Sequence, residues 1–83
     1  MTYDRAGWKL EADGSISYRS RIGSRARAHR EALALGHALG SFQAQGAGFV
    51  AFATCRRCNL VVREDILERR LYPAPGLFDA RCH

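Results

Sequence analysis

The sequence predicts a small α+β domain. Three observations predict it. Apolar and polar residues alternate on both sides of Asp13-Gly14. Apolar residues recur at helical spacing from Ala28 to Phe42. Two cysteines stand two residues apart between apolar runs, in Cys55-Arg56-Arg57-Cys58. With 83 residues, the chain reads as a single domain over 1–83. Its 47% hydrophobic content is that of a globular protein, but so short a chain buries a modest core and often needs a staple.

Residues 8–22 form the first element. A two-residue turn at Asp13-Gly14 would set Glu11 against Ile16 and Lys9 against Tyr18, mixing charged with apolar. A three-residue loop, Ala12-Asp13-Gly14 with Gly14 left-handed, instead pairs Glu11 with Ser15, Leu10 with Ile16 and Trp8 with Tyr18. The expected hairpin takes that register, with Trp8, Leu10, Ile16 and Tyr18 on one face and Lys9, Glu11, Ser15 and Ser17 on the other.

Residues 24–44 read as the main helix, capped by Ser24. Ala28, Ala32, Leu35, Leu39 and Phe42 fall within about 80° of one another at helical spacing and mark the core face. A second stripe holds His29, Leu33, Gly36, His37 and Gly40. Two glycines cost a helix about 1 kcal/mol each, so they either admit a neighbouring backbone or mark a break after Leu35.

Residues 49–54 and 60–63 read as two antiparallel strands with the cysteine pair as the turn between them. Residues 64–72 read as a short helix with Ile66, Leu67 and Leu71 inward, stopped by Pro73-Ala74-Pro75-Gly76. Residues 77–81 then run extended and deliver Cys82.

A Cys-x-x-Cys turn offers two soft ligands to one ion, and thiolate with imidazole suits tetrahedral zinc. Cys82 is the expected third ligand. The fourth is His37, His29 or His83. His29 and His37 lie about 12 Å apart along a continuous helix and cannot share an ion unless that helix breaks. His37 stands between Gly36 and Gly40, where a hairpin can come close. The position after Cys58 favours a left-handed backbone and holds Asn59, the most tolerant residue after glycine. A thioredoxin-like redox pair needs a strand-to-helix context. Here two strands flank the cysteines, so metal is expected. The fold expected is thus a zinc-stabilised domain: an N-terminal β-hairpin, one main helix and a zinc-knuckle β-hairpin.

Gly36-His37-Ala38-Leu39-Gly40-Ser41-Phe42, followed by Cys55-Arg56-Arg57-Cys58-Asn59 and Cys82, resembles small zinc-binding proteins of unknown function from actinobacteria and the phages that infect them. Their pattern is a GHxLGx(F/W) run, a CxxCG knuckle and a later cysteine. The resemblance covers about residues 29–82 and implies Zn2+ held by His37, Cys55, Cys58 and Cys82. Asn59 departs from the glycine of that pattern.

Net charge is +5, and twelve of the 13 basic residues are arginine. Arg19, Arg21, Arg25, Arg27 and Arg30 cluster between the hairpin and the helix. They are either a solvated surface or a phosphate-contacting patch. No aromatic residue interleaves with them, which disfavours base stacking.

The sequence holds no HExxH, no deaminase-type HxE, no phosphate-binding loop and no GxSxG, so no enzyme and no small-molecule substrate are expected. No apolar run spans a membrane, no signal peptide is evident, and reduced thiols fit the cytoplasm, a host's if phage-encoded. The expected role is a protein-interaction module. The alternative is a nucleic-acid-binding or regulatory zinc-finger-like protein acting through the arginine patch.

Overall fold

The first hairpin has the register that face matching predicts. A computed structural model of the chain describes residues 3–5, 7–20 and 22–82, so Arg21 and His83 lie outside the described residues. Strand β1 (Trp8–Leu10) pairs antiparallel with β2 (Ile16–Tyr18), Trp8 facing Tyr18 and Leu10 facing Ile16. The Glu11 N–H donates to the Ser15 carbonyl at 2.8 Å and the Gly14 N–H to the Glu11 carbonyl at 3.1 Å. Gly14 takes φ 88°, the left-handed conformation the loop requires. Leu10 stands opposite Ile16 on the expected face but is 65% exposed. It sits on the outermost strand, past the reach of the covering layer. Ser15 and Ser17 are buried, Ser17 on the other face, opposite Lys9. Asp13 accepts from Ser15, and Glu11 accepts from Ser17 at 2.8 Å.

Helix α1 (Ser24–Ala34) is shorter than the apolar stripe suggests. Gly23, not Ser24, holds the N-cap position, and Ser24 is the first helical residue, buried. The helix stops because Gly36 adopts φ 83°. The Gly36 N–H returns to the Leu33 carbonyl and the His37 N–H to the Ala32 carbonyl. Ala28 and Ala32 are fully buried, and Leu39 and Phe42 pack against the core from the irregular segment that follows, while Leu35, at the C-cap, is half-buried outside that cluster.

That segment leads into β3 (Gln43–Gln45), an exposed edge strand where helix or loop is expected. β3 pairs with β4 (Val50–Thr54), and β4 with β5 (Val61–Asp65) across the cysteine turn, as predicted. The expected helix over 64–72 is absent. β5 continues to Asp65, a turn with Arg69 at φ 56° follows, and β6 (Arg70–Pro73) returns antiparallel. β6 also pairs with β2, Ile16 against Leu71. This long-range pairing joins the two hairpins into one sheet of order β1-β2-β6-β5-β4-β3 and overrides the local helical pattern. The expected extended run over 77–81 is a series of turns that lays Leu77, fully buried, and Phe78 against the core.

One sheet face carries the core: Ile16, Tyr18, Leu71, Val62, Glu64, Ala51 and Ala53, joined by Ala28 and Leu77. The other face presents a cross-strand row in which Gln43 pairs with Phe52, Phe52 with Arg63, and Arg63 with Tyr72. Among the described residues, no helix is long and apolar enough to cross a membrane.

Candidate metal centre

Two backbone devices build the centre. In the first, the helix break turns residues 37–40 back against the end of β4. The Gly40 N–H donates to Thr54 O, the Arg56 N–H donates to Ala38 O, and Leu39 bridges Cys55. A β-carbon at Gly40 would meet the Thr54 carbonyl at 3.5 Å, an ordinary contact, so this approach does not itself require glycine. In the second, the knuckle closes through Asn59 N–H to Cys55 O and Cys55 N–H to Leu60 O, with Asn59 at φ 63°. Residues 74–82 then arrive from β6, and the Cys82 N–H donates to Leu35 O at 2.9 Å.

The donor atoms of His37, Cys55, Cys58 and Cys82 thereby lie within 4.8 Å of one another. The sulfurs of Cys55 and Cys82 are 3.8 Å apart, and Cys58 Sγ is 3.4 Å from His37 Nδ1. A tetrahedral zinc with ordinary bond lengths spaces two sulfurs about 3.8 Å apart and a sulfur and a nitrogen about 3.6 Å apart. The donor set therefore fits Zn2+ in chemistry and in spacing.

The His37 ring is oriented for the task. Its Nε2 faces the carbonyls of Ala80 at 3.0 Å and Gly76 at 3.2 Å. Both are acceptors, so Nε2 carries the proton and Nδ1 turns its lone pair towards the sulfurs. Burial works against charge on His37, but bonds to Cys55, the Ala80 carbonyl and Cys58 outweigh it and push the ring up to about 8. Burial likewise opposes the Cys55 thiolate. The backbone N–H groups of Cys58 and Arg57, the His37 ring and Ala38 overcome this and hold Cys55 well below the usual thiol range. Burial and the neighbouring Cys58 and Cys55 push Cys82 the other way, upward. His37 and Cys55 are fully buried, while Cys58 and Cys82 are half-buried.

His29 is not in this cluster. Its Nδ1 lies 2.8 Å from the Arg25 carbonyl, its Nε2 lies 2.9 Å from the Gly40 carbonyl, and its ring meets Phe42 edge-on. It ties the helix to the segment after the break.

The arginines divide. Arg25 donates to Glu64 through Nε at 2.8 Å and pairs with it through Nη2 at 2.7 Å. Arg27 grips Asp4 with two hydrogen bonds, of 3.0 and 2.8 Å, and lies 4.1 Å over the Trp8 ring. The Arg19 carbonyl accepts from Arg69, and Arg30 is exposed.

Sequence reasoning missed Glu64 as a structural group. It is fully buried, accepting from Arg25 and from the Tyr18 hydroxyl at 2.9 Å. The signal was its spacing two residues from Val62, which puts it on the inward face once the strand is extended. The Gly76 and Ala80 carbonyls behind His37 leave no trace in side-chain identity. No family model matches the chain, and no curated protein or solved structure matches it.

Proposed function

We propose that this chain is a non-enzymatic protein-interaction module whose fold is tied by one structural Zn2+ on His37, Cys55, Cys58 and Cys82. The observation that carries this reading is the convergence of four zinc-type donors from three separate segments within 4.8 Å. All four tetrahedral positions are filled by protein, which leaves none for a catalytic water. Bound there, zinc supplies a cross-link between the helix break, the knuckle and residues 74–82. The same four residues are those implied by the resemblance to small zinc-binding proteins of actinobacteria and their phages. Three reduced thiols suit the cytoplasm.

Metal analysis of the reduced native protein is expected to give one zinc per chain, with loss of the cooperative melt on chelation. An empty site, or an unchanged melt, rejects the reading. For the partner, Phe49 and Leu67, 52% and 70% exposed, lie at the end of the sheet opposite the knuckle. The Ile66 N–H donates to the Phe49 carbonyl and holds the two loops together. This apolar end suits a protein surface.

A second reading, nucleic-acid binding, draws support from the open sheet face. Arg63 lies 4.2 Å over the Tyr72 ring, in register with Phe52. Rings and guanidinium planes on an exposed sheet can stack bases. Arg25 and Arg27 are occupied by carboxylates, so the informative variants are Arg19, Arg30 and Arg63 to Ala. Retention on single-stranded DNA that falls steeply with salt and weakens in these variants supports this reading. Retention that is absent or unaffected by the variants removes it.

A further inference from the structure

The centre also has an oxidisable side. A cavity of about 250 Å3 opens onto it, lined by His37, Cys58, Leu60, Gly76, Arg81 and Cys82. It gives solvent a route to the half-buried sulfurs of Cys58 and Cys82, whereas Cys55 is sealed in the core. Beyond Cys82 Sγ, at 3.8 Å, lies Cys55 Sγ. A half-buried sulfur on the cavity side thus stands 3.8 Å from a fully buried one. The two thiols also belong to different segments, 27 positions apart in sequence.

We propose that Cys82 and Cys55 are a thiol oxidation pair, with a hydroperoxide as oxidant. The inference rests on the zinc reading above. Hydrogen peroxide, little larger than water, enters the cavity. The Cys82 sulfur attacks one peroxide oxygen, the O–O bond breaks, and the departing hydroxide is protonated to water, leaving a sulfenic acid on Cys82. The Cys55 sulfur then attacks Cys82 Sγ and displaces that hydroxyl as a second water. Two thiolates, one peroxide and two protons give one disulfide and two waters. With two of the four donors consumed, only His37 and Cys58 would remain to hold a metal ion.

The product differs from a Cys55–Cys58 disulfide in a way that matters. That link would close only the knuckle turn and would leave residues 74–82 untied. The Cys55–Cys82 bond keeps them joined to the knuckle. Oxidation thereby exchanges a metal tie for a covalent one at the same place and frees Cys58 and His37.

The test uses the unmodified, reduced, zinc-loaded chain titrated with hydrogen peroxide. Arg56, Arg57 and Arg81 let trypsin place each cysteine in its own peptide. The expected result is one zinc released per peroxide consumed and a fall in titratable thiols from three to one. Peptide 31–56 should be joined to Cys82-His83, with the surviving thiol in 58–63, and a dithiol reductant should restore zinc uptake. Zinc retained with all thiols intact, a link between Cys55 and Cys58, or conversion to sulfinic acid without a disulfide each overturns the pair. A chain that carries no zinc before oxidation overturns the zinc reading instead, so the two failures are told apart.

Discussion

Buried Glu64 shows what a single side chain can demand of this fold. The carboxylate is sealed in the sheet and is held by Tyr18 and Arg25, whose side chain is 36% exposed. Removing a partner from a buried charge costs more than the pair itself contributes, because the remaining charge stays desolvated. Arg25→Ala is therefore expected to destabilise the protein by about 3 kcal/mol. Tyr18→Phe removes one neutral donor and is expected to cost about 1–2 kcal/mol. Chemical denaturation of the zinc-loaded protein checks both, and equal effects would contradict the ranking. At the metal centre, His37→Gln is expected to lower zinc affinity by more than about 100-fold, since even losing an outer partner of a ligand costs 10–100-fold. Competition with a chromophoric chelator reads this directly. Proton linkage gives a further expectation. Zinc must displace a proton from His37, raised to about 8, and from Cys82, raised above the ordinary thiol range. Each displaced proton makes affinity rise tenfold per pH unit while its group is protonated. From these two protons alone the affinity is thus expected to climb about 100-fold between pH 6 and 7, and zinc-dependent stability is lost towards acid. A flat profile would mean that neither group is a ligand.

Among the elements, the ones set by local rules were legible and the ones set by distant partners were not. The first hairpin was readable down to its register because only one loop length keeps apolar residues together. The knuckle was readable because cysteine spacing limits the turn. His37 as a candidate ligand followed from glycines that read as a helix break or a close approach, and the break holds: Gly36 ends α1, whereas Gly40 leaves room for a β-carbon. Residues 64–72 failed because Ile66, Leu67 and Leu71 fit a helical stripe, yet Leu71 pairs with Ile16 on a strand far away in sequence. Nothing local announces that pairing. The left-handed positions give a two-sided expectation. Gly36→Ala, at φ 83°, is expected to cost about 1–2 kcal/mol and to loosen the turn that aims His37. Asn59→Gly, at φ 63°, is expected to be neutral or stabilising by up to about 1 kcal/mol. A thermal melt that moves both variants the same way would show that backbone conformation is not what these positions supply.

For the molecule as a whole, the core is thin. Four of its buried apolar residues, Ala28, Ala32, Ala51 and Ala53, are alanines, which bring layers close but remove little apolar surface from water. Such a core would leave much of the stability to the proposed metal tie. The radius of gyration is 12.0 Å, and chelation under reducing conditions is expected to expand the chain towards about 28 Å in small-angle scattering, the size of an unfolded chain of this length. A radius that stays near its starting value would show that the sheet stands without the ion. Trp8, the sole tryptophan, has its ring 5.9 Å from Phe78, four residues before Cys82. The chain is thus wired with its own optical gauge: seating or unseating of the segment that brings Cys82 to the other three donors would change the surroundings of the one indole. Emission colour can be followed in a stopped-flow cell, without a label, as metal arrives or departs.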